Sequence, residues 1–216
     1  MRQDKTSLRP RKTPTQSRSK FTVGVILDST TRILVEQGME KLTTNAVADM
    51  AGISVGSLYQ YFPGTEALIA ALRRRHHDDV NQLLNNAIDS SRELGFEKSL
   101  RAVVRANVEA HARDPQLHYL LDVKYADVGF EVLADEPRFS FAGSENEPVA
   151  KYLREVAGVK RARAKVMAQI CSEIIGSLTH AAVIHEDLNL DSDELVDEIV
   201  SVILGYFDRS GVSGPY

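Results

Sequence analysis

The stretch from Thr43 to Tyr61 carries side chains suited to reading a nucleic acid. Thr43 and Thr44 stand where a short helix would begin, and hydroxyls and free backbone N–H groups at such a start can hold a phosphate. Further on, Val55, Gly56 and Ser57 open a second short helix, and Tyr59, Gln60 and Tyr61 follow along its exposed side. Gln60 can pair with adenine N6 and N7, Val55 can touch a thymine methyl, and both tyrosines can bond phosphates. Gly56 costs ~1 kcal/mol against alanine inside a helix, a cost that makes sense where backbone must approach DNA closely. The plainer reading is a tolerated surface glycine.

The other reactive-looking residues carry less. His76-His77-Asp78-Asp79 suggests a metal cluster, but adjacent helical residues point ~100° apart, so these four cannot converge on one ion without partners from elsewhere. They are read as a solvated helix face. Arg73-Arg74-Arg75, just before them, is read as locally paired rather than as a nucleic-acid patch. His111 with His118, and His180 with His185, are read as satisfied or core histidines. No nucleophile elbow, P-loop, dinucleotide fingerprint or paired-carboxylate motif is present. The expectation is a protein that is not an enzyme, with no metal and no cofactor.

The elements that must position these residues are helical. Apolar positions recur every three to four residues from about Lys20 to Gln37, and Gly38 follows as a helix stop. Residues 42–63 read as a short helix near 44–51, a tight turn at Gly52 and a second short helix near 55–61. Thr44 is expected to cap the first and Ser54 the second. Gly52 supplies the positive φ of the turn, so the pair is a helix-turn-helix whose second helix enters a DNA major groove. A long helix follows Pro63-Gly64, with Thr65 as its N-cap, and runs towards residue 90. Further helices end near Arg113, open at Asp114-Pro115, and run from about Val149 to Gly158. The stretch from Asp135 to Pro148 reads as a surface loop. The fold class is all-α, with about nine helices.

The last two helices, about 159–186 and 192–208, are apolar on more than one face. Leu195, Ile199, Val202 and Tyr206 mark one stripe of the last helix, while Val196, Val200, Leu204 and Phe207 mark another. A helix apolar on both faces must be buried on both. The expectation is a homodimer joined through a four-helix bundle, with Ile174, Leu178, Ala181, Leu195, Ile199, Val202 and Tyr206 at the interface; the alternative is a wholly intramolecular core.

The register of residues 18–75 resembles the tetracycline-repressor (TetR) family of transcriptional regulators. The resemblance rests on Ile26-Leu27, Gly38, Leu42-Thr43-Thr44, the run Val47 to Ser54, the run Val55 to Phe62, and Glu66-Ala67-Leu68. It implies a basic arm over 1–17, a DNA-binding domain over 18–75 and an effector-binding and dimerisation domain over 76–210. DNA contacts are then expected from Lys20, Thr43, Thr44, Ser54, Val55, Gly56, Ser57, Tyr59, Gln60, Tyr61 and Thr65. Thr65 stands where the family usually has a phosphate-contacting lysine, so one ionic contact per subunit is lost and the salt slope is shallower by roughly 0.9. By the same resemblance a small molecule binds among the middle helices, with Asn107, His111, His118, Tyr119, Tyr125 and Phe130 as candidate lining.

Composition agrees with this reading. The chain has 216 residues and one cysteine, Cys171, which excludes a disulfide scaffold and fits a reducing compartment. No apolar run approaches the ~18 residues of a membrane span, and the polar first twenty residues lack the apolar core of a secretory signal. The net charge of −4 divides into +6 over residues 1–75 and −10 over the rest, which would bias orientation towards a polyanion. The expected protein is a cytoplasmic, dimeric, ligand-responsive repressor on a palindromic double-stranded operator. The alternative is a helical small-molecule-binding or adaptor protein that has lost sequence-specific DNA binding.

Overall fold

A computed structural model of the chain describes residues 17–128, 147–155, 158–184 and 192–210. Among these, nine helices appear: α1 (Ser17–Gln37), α2 (Thr44–Ala51), α3 (Val55–Tyr59), α4 (Thr65–Ser91), α5 (Phe96–Ala112), α6 (Pro115–Tyr119), α7 (Glu147–Glu155), α8 (Arg161–Ile184) and α9 (Ser192–Arg209). The backbone after α6 widens into a π-turn over Leu120–Lys124. The described residues contain no strand, and no described helix is long and apolar enough to cross a membrane. The basic arm, Phe130 and most of the expected 135–148 loop lie outside the described residues.

The chain divides into two compact units, residues 1–77 with 116–136, and residues 78–115 with 137–216. The grouping of 116–136 with the N-terminal residues is absent from the division at residue 75 that the sequence suggested. Its cause is packing: Leu117, Leu120 and Leu121 join the same apolar cluster as Ile26, Leu58 and Leu68.

The N-terminal unit is built on local signals. Ile26, Leu27, Ile33 and Leu34 bury one face of α1. Its buried Thr30 is satisfied by donating Oγ1 to the Ile26 carbonyl at 2.8 Å. Gly38 ends the helix at φ 83°, and Gly52 turns the chain between α2 and α3 at φ 65°. The cap of α2 is Thr43 rather than Thr44: its Oγ1 accepts the Ala46 N–H at 3.1 Å. Two adjacent threonines offer two registers, and the one giving the first residue extended backbone prevails. Ser54 caps α3, accepting the Ser57 N–H at 3.1 Å. Thr65 is the first helical residue of α4, and Gly64 precedes it, its carbonyl accepting the Leu68 N–H at 3.2 Å.

The C-terminal unit has its own core, in which Val104, Leu153, Met167, Val196, Ile199, Ile203 and Phe207 are buried. The rings of Phe96 and Phe207 lie 4.7 Å apart, the spacing of an attractive tilted pair. Arg101 and Arg105 of α5 pair with Asp197 and Asp193 of α9 at the exposed rim, where such pairs contribute little. Leu195 and Ile199, placed by the sequence at a subunit interface, lie in this protomer's own core at 7% and 0% exposure. They share a side of α9 with Val196, Val200 and Ile203, and that side is filled. What stays uncovered is another stripe: Val166 (58%) and Leu178 (38%) on α8, and Val202 (48%) on α9. Ile170, Ile174, Ala181 and Tyr206 are half-buried.

Candidate nucleic-acid interface and apolar cavity

The helix-turn-helix is held from beneath by Val47, Ala48, Leu58 and Phe62, all 1% exposed or less. Ala48 is small enough to let the two helices approach, and Leu58 anchors a helix of only five residues. With those positions committed inwards, the polar ones face out. Thr43, Ser54, Gly56, Tyr59 and Gln60 are exposed, as is Lys20. Thr44, Val55, Ser57, Tyr61 and Thr65 are half-buried. Tyr61 packs partly on the unit's apolar cluster, so less of it faces solvent than of Tyr59.

One contact ties the two helices together at their outer surface. The Thr44 and Tyr59 hydroxyls lie 3.1 Å apart, which puts the start of α2 and the outer side of α3 on one exposed face. Ser57 makes a 2.8 Å hydroxyl contact with Ser54, while Tyr59 and Gln60 are exposed. A Cβ on Gly56 would meet only the Ser54 Oγ, at 3.9 Å. The protein's own packing therefore does not require this glycine.

Arg73 and Arg75 are paired with distant segments, and not with the acidic residues beside them in the chain as the local charge pattern suggests. Arg73 is 4% exposed. Its guanidinium donates to the carbonyls of Val128, Leu121 and Tyr125 at 2.9, 2.5 and 2.8 Å. Arg75 donates to Asp28 Oδ1 at 2.7 Å and to the Thr31 hydroxyl at 3.2 Å. The Arg73 guanidinium is therefore not available to a phosphate, while that of Arg75 is engaged in a surface ion pair.

The six candidate effector residues are dispersed. Asn107 and His111 are buried on α5, where His111 Nδ1–H donates to the Asn107 carbonyl at 2.7 Å and its ring lies 5.5 Å from that of His180. Burial lowers the His111 pKa, and burial together with the neighbouring His111 lowers that of His180. His118, Tyr119 and Tyr125 belong to the N-terminal unit, and Tyr119 is exposed. His76 does not sit on a solvated face. It is packed against His118 and Asp122, residues 42 and 46 positions further on that local periodicity cannot bring to it.

None of the five described candidates lines an apolar cavity in the C-terminal unit. That cavity encloses about 500 Å³ of space, partly open to solvent, and only a small part is wide enough for a water-sized group. Its walls are Ile88, Phe96, Leu100, Val103, Val149, Leu153, Cys171, Ile175 and Phe207, with Ser99, Tyr152 and Ser172 the polar members. Ser99 spends its hydroxyl on the Ser91 carbonyl at 2.6 Å. Among the described residues the buried Tyr152 hydroxyl has no hydrogen-bond partner, an arrangement costly without a ligand or water. Burial pushes the Cys171 thiol up to about 12, so it lines the wall as an inert apolar group. Sequence reasoning missed this wall because its apolar residues look like core; the orphaned Tyr152 hydroxyl distinguishes it.

The family model described as bacterial regulatory proteins, tetR family, matches residues 26–72, and that described as the tetracyclin repressor-like C-terminal domain matches residues 96–207. The transcriptional repressor KstR2 of Mycobacterium tuberculosis is 29% identical over 128 residues, which are 59% of this chain and 60% of that protein. The nucleoid occlusion factor SlmA of Haemophilus ducreyi is 31% identical over 88 residues, 40% of this chain and 42% of its own. The chain thus spans about half the length of these curated relatives. A TetR-family regulator structure from Mesorhizobium loti superposes with a TM-score of 0.70 at 13% identity, covering 90% of this chain and 98% of that one.

Proposed function

Since the chain belongs to the TetR family of bacterial transcriptional regulators, we propose that it is a cytoplasmic, ligand-responsive repressor that binds a palindromic operator as a homodimer. The observation that carries this reading is the capped, buried helix-turn-helix that leaves Tyr59 and Gln60 exposed. Val55, Gly56 and Ser57 enter the major groove with them. Thr43, Thr44, Ser54, Tyr61, Thr65 and Lys20 contact the flanking backbone. The exposed Val166 and Leu178 on α8 and Val202 on α9, flanked by the half-buried Ile170, Ile174 and Tyr206, support the dimer, since grouped exposed apolar residues are a feature of interaction surfaces. Two such heads would occupy successive major grooves roughly 34–36 Å apart.

The effector is an apolar molecule carrying one hydrogen-bonding group, held in the cavity by its greasy walls and oriented by the Tyr152 hydroxyl. The narrow cavity must widen to admit it. Binding then favours the widened, DNA-incompetent form, and can release the operator only by its differential affinity for the two states. Asn107 and His111 of α5 lie outside the cavity wall and act in this scheme as supports for that helix.

The reading is tested on a duplex that the protein itself selects from a random-sequence library. Replacing both Tyr59 and Gln60 with alanine should weaken binding to that duplex by about 10- to 1,000-fold, the span expected for loss of one base contact and one phosphate contact. Unchanged binding would refute the assigned reading surface. A two-fold repeat in the selected sequence is the signature of the dimer, and release of the duplex by an apolar molecule is that of the effector.

A further inference from the structure

We propose that His76, His118 and Asp122 form a binding site for a divalent first-row transition metal ion, separate from the effector cavity. All three belong to the N-terminal unit, which also carries the helix-turn-helix. His76 Nε2 and His118 Nδ1 are 3.0 Å apart. Asp122 Oδ2 lies 3.1 Å from His118 Nδ1 and 3.8 Å from His76 Nε2. A triangle with these sides has its centre about 2 Å from each corner, the bond length that zinc and its neighbours make to imidazole nitrogen and carboxylate oxygen. An ion would sit at or just above that plane with its remaining positions open. Two imidazoles and one carboxylate suit zinc, cobalt, nickel or iron(II) rather than calcium or magnesium.

The elements explain the convergence. His118 and Asp122 are four residues apart along α6 and the π-turn that continues it, so they share a face. The third ligand arrives from α4. Single π-turns recur at functional sites because they re-aim side chains, and here Arg73 fixes the turn through the Leu121 and Tyr125 carbonyls. Arg73 also faces the other carboxylate oxygen: its Nε is 3.9 Å from Asp122 Oδ1, as is His77 Nε2 at 3.8 Å. The carboxylate thus presents Oδ2 to the ion and Oδ1 to Arg73 and His77, the outer-shell arrangement that orients a ligand. His118 is 1% exposed and the Asp122 and His76 side chains 12% and 13%, a setting in which ligands are held in place. The ion would clamp α4 to the 115–124 segment within the DNA-binding unit.

The test uses the full chain without any affinity tag. Zinc is titrated by calorimetry and cobalt by its visible absorption, with thermal unfolding followed in parallel. The site predicts one ion per chain, a cobalt spectrum of low coordination number, and a rise in melting temperature with zinc. His76→Gln and Asp122→Asn should each weaken binding at least about tenfold and abolish the zinc-dependent rise. His76→Gln leaves the Arg73–Asp122 contact in place, so it keeps the test decisive if Asp122→Asn fails to fold. Absence of zinc binding to the parent chain, or binding undiminished by His76→Gln, overturns the proposal. In that case the three side chains form only a hydrogen-bonded network.

Discussion

An Arg73→Met variant is expected to lose about 3–5 kcal/mol of unfolding free energy, the range for removing one partner of a buried charged network. Methionine fills much of the same volume, so little of the loss comes from an empty space. The loss comes from what Arg73 leaves behind. The carbonyls of Leu121, Tyr125 and Val128 each lose the guanidinium, that of Tyr125 keeping a second donor, the Val128 N–H at 3.0 Å, and Asp122 loses its cationic neighbour in a nearly closed setting. A buried acceptor left unmatched costs roughly 1–3 kcal/mol. Arg73→Lys should recover only part of the loss, because a single ammonium lacks the planar fork that reaches three acceptors at once. Urea titration gives the result directly, as a lowered midpoint with an unchanged slope. A loss below about 1 kcal/mol would mean that water replaces the guanidinium and that the turn does not depend on it.

Leu58→Ala is expected to cost about 3–5 kcal/mol and to abolish operator binding without removing any DNA contact. Leu58 is 0% exposed and is the one buried residue of α3. A five-residue helix has no independent stability, so its position relative to α2 depends on this side chain and on Phe62. Truncation leaves a void between Val47, Ala48 and Phe62, and α3 is free to tilt. Because the C-terminal unit has its own core around Val196, Ile199 and Phe207, the dimer proposed above should persist by light scattering while DNA affinity disappears. Retained affinity together with the stability loss would show that α3 is fixed by its caps alone.

These cases separate what the sequence makes legible from what it does not. Helix starts, stops and turns depend on neighbours in the chain, so Gly38, Gly52, Ser54 and Pro115 mark boundaries that the structure reproduces. Even there register slips by one, as Thr43 rather than Thr44 takes the cap. Apolar periodicity marks α9 as apolar on more than one side, but it does not say which neighbour covers which stripe. Leu195 and Ile199 turn inwards while Val202 stays out. Long-range pairings leave no local trace. Arg73 meets carbonyls 48 to 55 residues away, and His76 meets His118 across 42. The sequence argument that adjacent histidines cannot share an ion is sound for one helix; the partners come from another.

Regulation by a DNA-reading dimer is tested most directly by fluorescence anisotropy on the selected duplex and on a scrambled copy, at about 50 mM and 200 mM salt. The account predicts a two-fold symmetric sequence, saturable binding, and a preference over the scrambled duplex of at least about 10³ that persists at the higher salt. Equal binding to both duplexes that disappears as salt rises would contradict it, and would leave a helical ligand-binding protein with no operator of its own.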